Sequence, residues 1–226
     1  MRPKIIVLSL GGSLIVPDAV DTGFLRMFRE TIEKYIRKGY KFAVYCGGGR
    51  LARNFQNAAS EISHLKNEEL DWLGIYATRL NALLIRYIFG KNAQDPLIAN
   101  PNEGIKFKKN ILVAAGWIPG WSTDYDAVLL AKNLGVKEII NMSNIDYVYK
   151  KDPNKFKGTE KIENISWSKY ANLISRKWVA GMNAPFDPVA ARKAEMLGLK
   201  VFIIGKNLRN FENLLDGKAF KGTVIH

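Results

Sequence analysis

Residues 5–13 read Ile5-Ile6-Val7-Leu8-Ser9-Leu10-Gly11-Gly12-Ser13, and residues 42–50 show the same arrangement as Phe42-Ala43-Val44-Tyr45-Cys46-Gly47-Gly48-Gly49-Arg50. A short, nearly continuous apolar run that stops at glycines is the pattern of a strand buried on both faces. Between these runs, Leu25, Phe28, Ile32, Tyr35 and Ile36 recur at helical spacing over 24–38, and Gly39 follows as a C-cap. Working outward, 70–89 predicts a long helix with Leu73, Ala77, Leu80, Leu84 and Ile88 on one stripe. Residues 111–115, 138–142 and 201–204 predict further strands, helices over 124–134 and 188–197 precede the last two, and 224–225 adds an edge strand. Strands alternating with helices imply parallel βαβ units. The expected fold is therefore α/β, a three-layer α-β-α sandwich with a mainly parallel central sheet. Without a repeat or a low-complexity linker, residues 1–226 read as one domain.

Ligands of such sheets bind just beyond strand ends, which makes three loops informative. Gly11-Gly12-Ser13 lets the backbone turn sharply and bring N–H groups close to an anion. Gly47-Gly48-Gly49-Arg50 runs into Leu51-Ala52-Arg53 at a helix start, so glycines, a helix N-terminus and two arginines form a phosphate cradle. In the third loop, Gly116-Trp117-Ile118-Pro119-Gly120-Trp121-Ser122-Thr123-Asp124, Ser122 and Thr123 can cap the next helix and offer hydroxyls to a phosphate. One glycine loop alone reads as a plain turn; three on one sheet edge favour an anion site. Neither G-x-x-x-x-G-K-[ST] nor G-x-G-x-x-G is present, so the phosphate chemistry uses another architecture.

The net charge of +13 admits a nucleic-acid binder, an enzyme of phosphorylated substrates, or a lysine-rich solvated surface. The basic residues spread along the chain, Lys106, Lys108 and Lys109 forming the densest cluster, and no basic stretch interleaves with stacking aromatics. The second and third readings together fit best. No apolar run reaches bilayer-spanning length, the N-terminus lacks signal-peptide features, and the single Cys46 cannot form an internal disulfide, so a cytoplasmic protein is expected. Cys46 itself reads as a small buried apolar residue, and His64 and His226 have no partner pattern of a catalytic or metal site.

The ordered set Gly11-Gly12-Ser13, Gly47-Gly48-Gly49 and Asn144-Ile145-Asp146-Tyr147-Val148-Tyr149-Lys150-Lys151-Asp152-Pro153 resembles the amino acid kinase family. Asp71-Trp72-Leu73-Gly74-Ile75-Tyr76-Ala77-Thr78-Arg79-Leu80-Asn81-Ala82 and Pro119-Gly120-Trp121-Ser122-Thr123 resemble the UMP kinases within it, especially the archaeal type. The resemblance runs from Ile5 to Ile225 and implies transfer of a phosphoryl group from ATP to UMP. It places the UMP phosphate at Gly47, Gly48, Gly49, Arg53 and Thr123, and the ribose hydroxyls at Asp71. It assigns Asn144, Tyr149 and Asp152 to ATP, sets Gly11, Gly12 and Ser13 against the transferring group, and puts Asp187 near the catalytic centre and Mg²⁺. The magnesium arrives bridging phosphates, with no protein cage. An acceptor half at about 1–123, an ATP half at about 124–226, and assembly as homohexamers are also implied.

Two positions depart from the family pattern. Ser9 stands where bacterial members carry a lysine, leaving Arg50 or Lys4 as the expected substitute cation, and Tyr147 stands where glycine is usual. Rival readings are another small-molecule kinase of the same fold, a nucleotide-binding or storage protein without catalysis, and a nucleic-acid-binding module motivated by charge alone.

Overall fold

A computed structural model describes residues 3–151, 156, 158–174 and 184–226. In chain order these form β1 (Lys4–Leu10), α1 (Gly12–Ile15), α2 (Thr22–Arg37), β2 (Tyr40–Cys46), α3 (Gly49–Ile62), α4 (Asn67–Phe89), β3 (Ile111–Ala114), α5 (Thr123–Leu134), β4 (Glu138–Met142), β5 (Val148–Tyr149), β6 (Lys161–Ile162), β7 (Asn164–Ile165), α6 (Trp167–Leu173), α7 (Pro188–Met196), β8 (Lys200–Ile204), α8 (Leu208–Leu215) and β9 (Thr223–Ile225). Among the described residues one seven-stranded sheet runs in the order β3-β2-β1-β4-β8-β9-β7. Every pairing in it is parallel except β8 with β9.

Alternation along each strand explains the layers. Ile6, Leu8 and Leu10 of β1 join Phe42, Val44 and Cys46 of β2 on one face, packed under α2, α4 and α8. Val7, Ala43 and Tyr45 point to the other face, under α5, α6 and α7. Both faces are dry, so the strands read as unbroken apolar runs. Helix α2 shows the local logic: Asp21 accepts from the Phe24 N–H at 2.9 Å and starts it, and Gly39 at φ +87° follows its end. Phe28, Ile32 and Tyr35 are fully buried against the sheet; a buried aromatic or aliphatic side chain contributes about 1.5–3 kcal/mol.

Two expectations change. Residues 224–225 belong to β9, which lies between β8 and β7 and is not an edge. The stripe on α4 divides: Ala77 is buried and Leu84 and Ile88 pack against the core, whereas Leu80 is 58% exposed. The core face is instead Ile75, Thr78, Ala82, Ile85 and Phe89. This helix is apolar on two sides, and periodicity alone cannot say which side meets the sheet.

The order of strands positions the site. After β1 the chain moves outward through β2 and β3, then returns to place β4 on β1's other side. The gap between β1 and β4 is thus the topological switch point, where open α/β sheets hold ligands beyond the carboxyl ends of their strands.

Candidate active site

At that edge the ends of three strands are stitched together. The Gly11 N–H donates to Met142 O at 2.8 Å, and the Gly47 N–H donates to Leu10 O at 2.9 Å. The two glycine turns then touch: a Cβ on Gly12 would lie 2.4 Å from Gly47 O, and one on Gly49, at φ +59°, would lie 2.2 Å from the Gly12 carbonyl carbon. Side chains are excluded from both positions, and what remains on the surface is backbone. Asn81 of α4 supports the second turn from below, its amide donating to Gly47 O at 2.8 Å. A cleft of about 700 Å³ opens over this junction.

One wall belongs to the first half of the chain. Helix α3 starts at Gly48 without a side-chain cap, so its first N–H groups remain free for an anion. Arg53, one turn on, lines the cleft. Facing it is the loop 116–122, whose shape is fixed by side chains of its neighbours. Gly116 N–H donates to Thr78 Oγ1 at 2.8 Å, Arg79 Nη2 donates to Trp117 O at 3.3 Å, and Gly120 N–H donates to Asp71 Oδ2 at 2.8 Å. Trp121 stacks on Tyr125 with centroids 4.3 Å apart. Ser122 caps α5 by accepting from the Tyr125 N–H, and Thr123 is left facing the cleft. Burial raises the Asp71 carboxyl above its ordinary range, and the Gly120 hydrogen bond opposes that shift.

At the switch point lies a carboxylate pair. Asp124 accepts from Ser9 Oγ at 3.1 Å, Asn141 Nδ2 at 3.0 Å and the Asp187 N–H at 3.2 Å. It thereby joins β1, β4, α5 and the start of α7. Burial, and then the neighbouring charge of Asp187, push its carboxyl up to about 7. Asp187 is 6% exposed; Oδ1 caps α7 by accepting from the Ala190 N–H at 2.7 Å, while Oδ2 is buried without a hydrogen-bond partner. Burial likewise raises Asp187, opposed by the Ala190 and Val189 amides, the Ser122 hydroxyl and the charge of Arg192. A buried acceptor oxygen left open beside a phosphate cleft suits a hard cation. Among the described residues no group of three or more acidic, His or Cys side chains forms a metal cage.

The opposite wall belongs to the second half of the chain. Tyr149 lies on β5, which pairs with β6 as a two-stranded hairpin. The rings of Tyr147 and Tyr149 meet edge to face at 6.3 Å, and Lys161 Nζ sits 4.8 Å above the Tyr147 ring. Asn144, Ile145, Lys150 and Lys151 line the same side.

Most residues singled out in the sequence thus share one cavity: Gly11, Gly12, Ser13, Gly47, Gly48, Gly49, Arg53, Asp71, Thr123, Asn144, Tyr149 and Asp187 all line it. Asp152 lies outside the described residues. Arg50 is not brought in. Its Nη1 is 2.5 Å from Asp18 Oδ1, both side chains are more than half exposed, and neither lines the cleft. Lys4 opens β1, at the end of the strand away from the cleft, with its ammonium over the Tyr40 ring. Neither expected substitute therefore fills the place opposite Ser9. Sequence reasoning missed Asp124, Asn141, Thr78 and Asn81 as site-forming residues; polar side chains inside apolar stretches, such as Asn141 within Ile139-Ile140-Asn141-Met142, were the available signal.

Backbone amides gathered where two strand ends touch define a class: an α/β protein that handles phosphate groups at the carboxyl edge of its sheet without a P-loop. More narrowly, the chain belongs to the amino acid kinase family, whose pattern matches residues 4–205. It is 32% identical to the uridylate kinase of Thermoplasma volcanium, over 97% of this chain and 96% of that one. It is 34% identical to the uridylate kinase of Archaeoglobus fulgidus, over 97% and 99%. The crystal structure of the Archaeoglobus fulgidus uridylate kinase superposes with a TM-score of 0.84 at 32% identity, covering 99% of this chain and all of that one.

Proposed function

We propose that this chain is a UMP kinase, transferring the γ-phosphoryl group of ATP to UMP to give UDP and ADP in pyrimidine nucleotide biosynthesis. The observation that carries the reading is the contact of the two glycine turns at Gly12 and Gly49, which lets two phosphate groups approach across bare backbone. The uridylate kinases named above support UMP as the acceptor. Residues 1–123 form the acceptor half: the start of α3, Gly47, Gly48, Gly49 and Arg53 hold the UMP phosphate, Thr123 reaches it from the facing loop, and Asp71 accepts from the ribose hydroxyls. Residues 124–226 form the donor half, with Asn144 and Tyr149 beside ATP and Asp152 assigned to the same site by family resemblance.

In the transfer, a UMP phosphate oxygen attacks the γ-phosphorus in line while the bond from that phosphorus to the β–γ bridging oxygen breaks and ADP departs. Such a reaction asks the protein for alignment and charge neutralisation more than for covalent chemistry. Gly12 and Ser13 present amides to the moving group, and Gly11, its own N–H donated to Met142 O, shapes the turn against it. Mg²⁺ entering with ATP would neutralise phosphate charge, and Asp187 Oδ2 would be the protein oxygen to hold it. Asp124 holds Ser9, Asn141 and the Asp187 backbone in register. The cations lining the cleft among the described residues are Arg53, Lys150 and Lys151, and they take the duty expected of Arg50.

The protein acts as a homo-oligomer, a hexamer by family resemblance, in the cytoplasm. Tyr76, Leu80, Leu83 and Tyr87 follow one another along the outer face of α4, each at least 36% exposed, and a second copy would cover them. No helix among the described residues is long and apolar enough to cross a membrane. The test is ADP release with ATP and Mg²⁺ across a panel of acceptors. Preference for UMP supports the assignment. Preference for an amino acid, carbamate or isoprenoid phosphate ends it, and UMP binding without turnover, motivated by the missing lysine at Ser9, would leave a nucleotide-binding protein.

A further inference from the structure

Asp126 lies on the first turn of α5, faces away from the cleft and is 0% exposed. Its Oδ2 accepts from the Trp117 N–H at 3.1 Å, while Oδ1 is buried without a hydrogen-bond partner. Tyr45 of β2 is the polar side chain beside the carboxyl, and the two interact electrostatically. Tyr45 has one hydroxyl proton, and its hydroxyl donates to Ala115 O at 2.6 Å. An ionised Asp126 would therefore be an acceptor facing an acceptor, in a site closed to water. A protonated Asp126 carries no buried charge and has a proton to offer toward the Tyr45 oxygen, while Tyr45 keeps its bond to Ala115 O and the Trp117 N–H its bond to Asp126.

Both ends of this chain hold the same segment. Ala115 follows β3, and Trp117 lies in the loop that carries Gly120, Trp121 and Thr123 to the acceptor side of the cleft. We propose that Asp126 is a positioning residue for the acceptor loop and that it performs this role as the neutral acid. The inference rests on the acceptor assignment of that loop. Charged and titratable groups nearby are few: Tyr45 and, beside it, Cys46 from β2, Arg79 of α4, which acts on Tyr45, and Asp124 on Asp126's own helix. From β1, β3 and β4 the same sheet face presents Val7, Ser9, Leu112, Ala114, Ile139 and Asn141, and from α7 Ala190, Ala191 and Ala194 are buried in the same cluster. Burial, with a smaller contribution from Asp124, pushes the Asp126 carboxyl up to about 7. The proton is therefore held on the acid side of neutrality and released on the alkaline side.

Asparagine is the isostere of the neutral acid: its oxygen accepts from Trp117 and its amide donates to Tyr45. Leucine keeps the volume and can do neither. Wild type, Asp126→Asn and Asp126→Leu are compared by infrared spectroscopy, amide hydrogen exchange at Trp117 and steady-state kinetics. The proposal expects a protonated-carboxyl band in the wild type that both variants lack. Exchange protection at Trp117 is kept by asparagine and lost with leucine. Asp126→Leu raises the acceptor KM by about tenfold, the factor a lost buried hydrogen bond of about 1.4 kcal/mol produces, with kcat and donor KM within about twofold. In the wild type the acceptor KM rises as pH passes about 7 and the carboxyl ionises, and in Asp126→Asn it does not. An asparagine variant as impaired as the leucine one, absence of the carboxyl band, or an equal rise in donor KM would overturn the proposal. If no acceptor is phosphorylated by any of the three proteins, the kinase assignment fails, while the infrared band and Trp117 exchange still decide whether a neutral Asp126 holds this loop.

Discussion

The two walls of the cleft are built differently. The acceptor wall is a loop held from several elements at once: Thr78, Arg79 and Asp71 of α4 bind Gly116, Trp117 and Gly120, and Asp126 of α5 binds Trp117. The donor wall is a hairpin of two-residue strands. Its described ties include Val148 N–H to Thr223 Oγ1 at 2.8 Å, Lys151 N–H to Thr159 Oγ1 at 3.0 Å, and an exposed Lys150–Glu160 ion pair. Exposed pairs contribute at most about 1 kcal/mol. Selectivity is therefore expected on the acceptor side: a wall whose shape is fixed by hydrogen bonds from several elements yields less to a misfitting acceptor than a short hairpin does to a donor.

The largest effect should come where the walls meet. Gly12→Ala puts a methyl group into the Gly47–Gly49 backbone and should lower kcat/KM by at least about 10²-fold for both substrates, as expected when reacting groups are displaced by about an ångström. A loss confined to one substrate would show that the turns serve separate sites. Next, Asp124→Asn should reduce kcat by about 10²-fold and flatten the pH dependence of stability that the carboxyl brings. The sign follows from its raised carboxyl. The folded chain retains a proton that the unfolded chain has released, so stability is fullest below the unfolded value near 4 and is lost as pH rises toward about 7. Asparagine does not titrate and should lack that slope, although its NH2 then faces one of the three donors that Asp124 accepts from. Denaturant melts and initial rates on the same samples check both halves of this prediction.

Arg53→Ala then separates the walls. It should raise the acceptor KM by about 10- to 100-fold, consistent with a charge-assisted phosphate contact of about 1.5–3 kcal/mol, and leave the donor KM nearly unchanged. A smaller effect is expected at Tyr147→Gly, which restores the usual family residue on the donor wall. Its donor KM should shift by about two- to fivefold, the range of a single aromatic contact of about 0.5–1 kcal/mol. Arg50→Ala should do less still to either KM, since Arg50 faces Asp18.

Much of the frame was legible in the sequence, for a local reason. Apolar runs ending at glycines mark strands and their ligand edge, and β1, β2, β3, β4 and β8 all fall where those runs predict. The loops 11–13 and 47–49 could be named as phosphate-binding because glycine content is itself the physical cause. What escaped was long-range or short. Ser9 meets Asp124 across 115 positions, so no spacing announces it. β5, β6 and β7 have two residues each, too few for any period to show. Arg50 and Arg53 look alike in sequence, and only the turn of α3 sends one to Asp18 and the other to the cleft.

A bisubstrate analogue, uridine and adenosine joined by a polyphosphate, tests the meeting of two phosphate sites most directly. Titration calorimetry should find one analogue bound per chain, and inhibition should be competitive against both ATP and UMP. Competition with one nucleotide alone, or two analogues bound per chain, would contradict a single cleft shared by donor and acceptor.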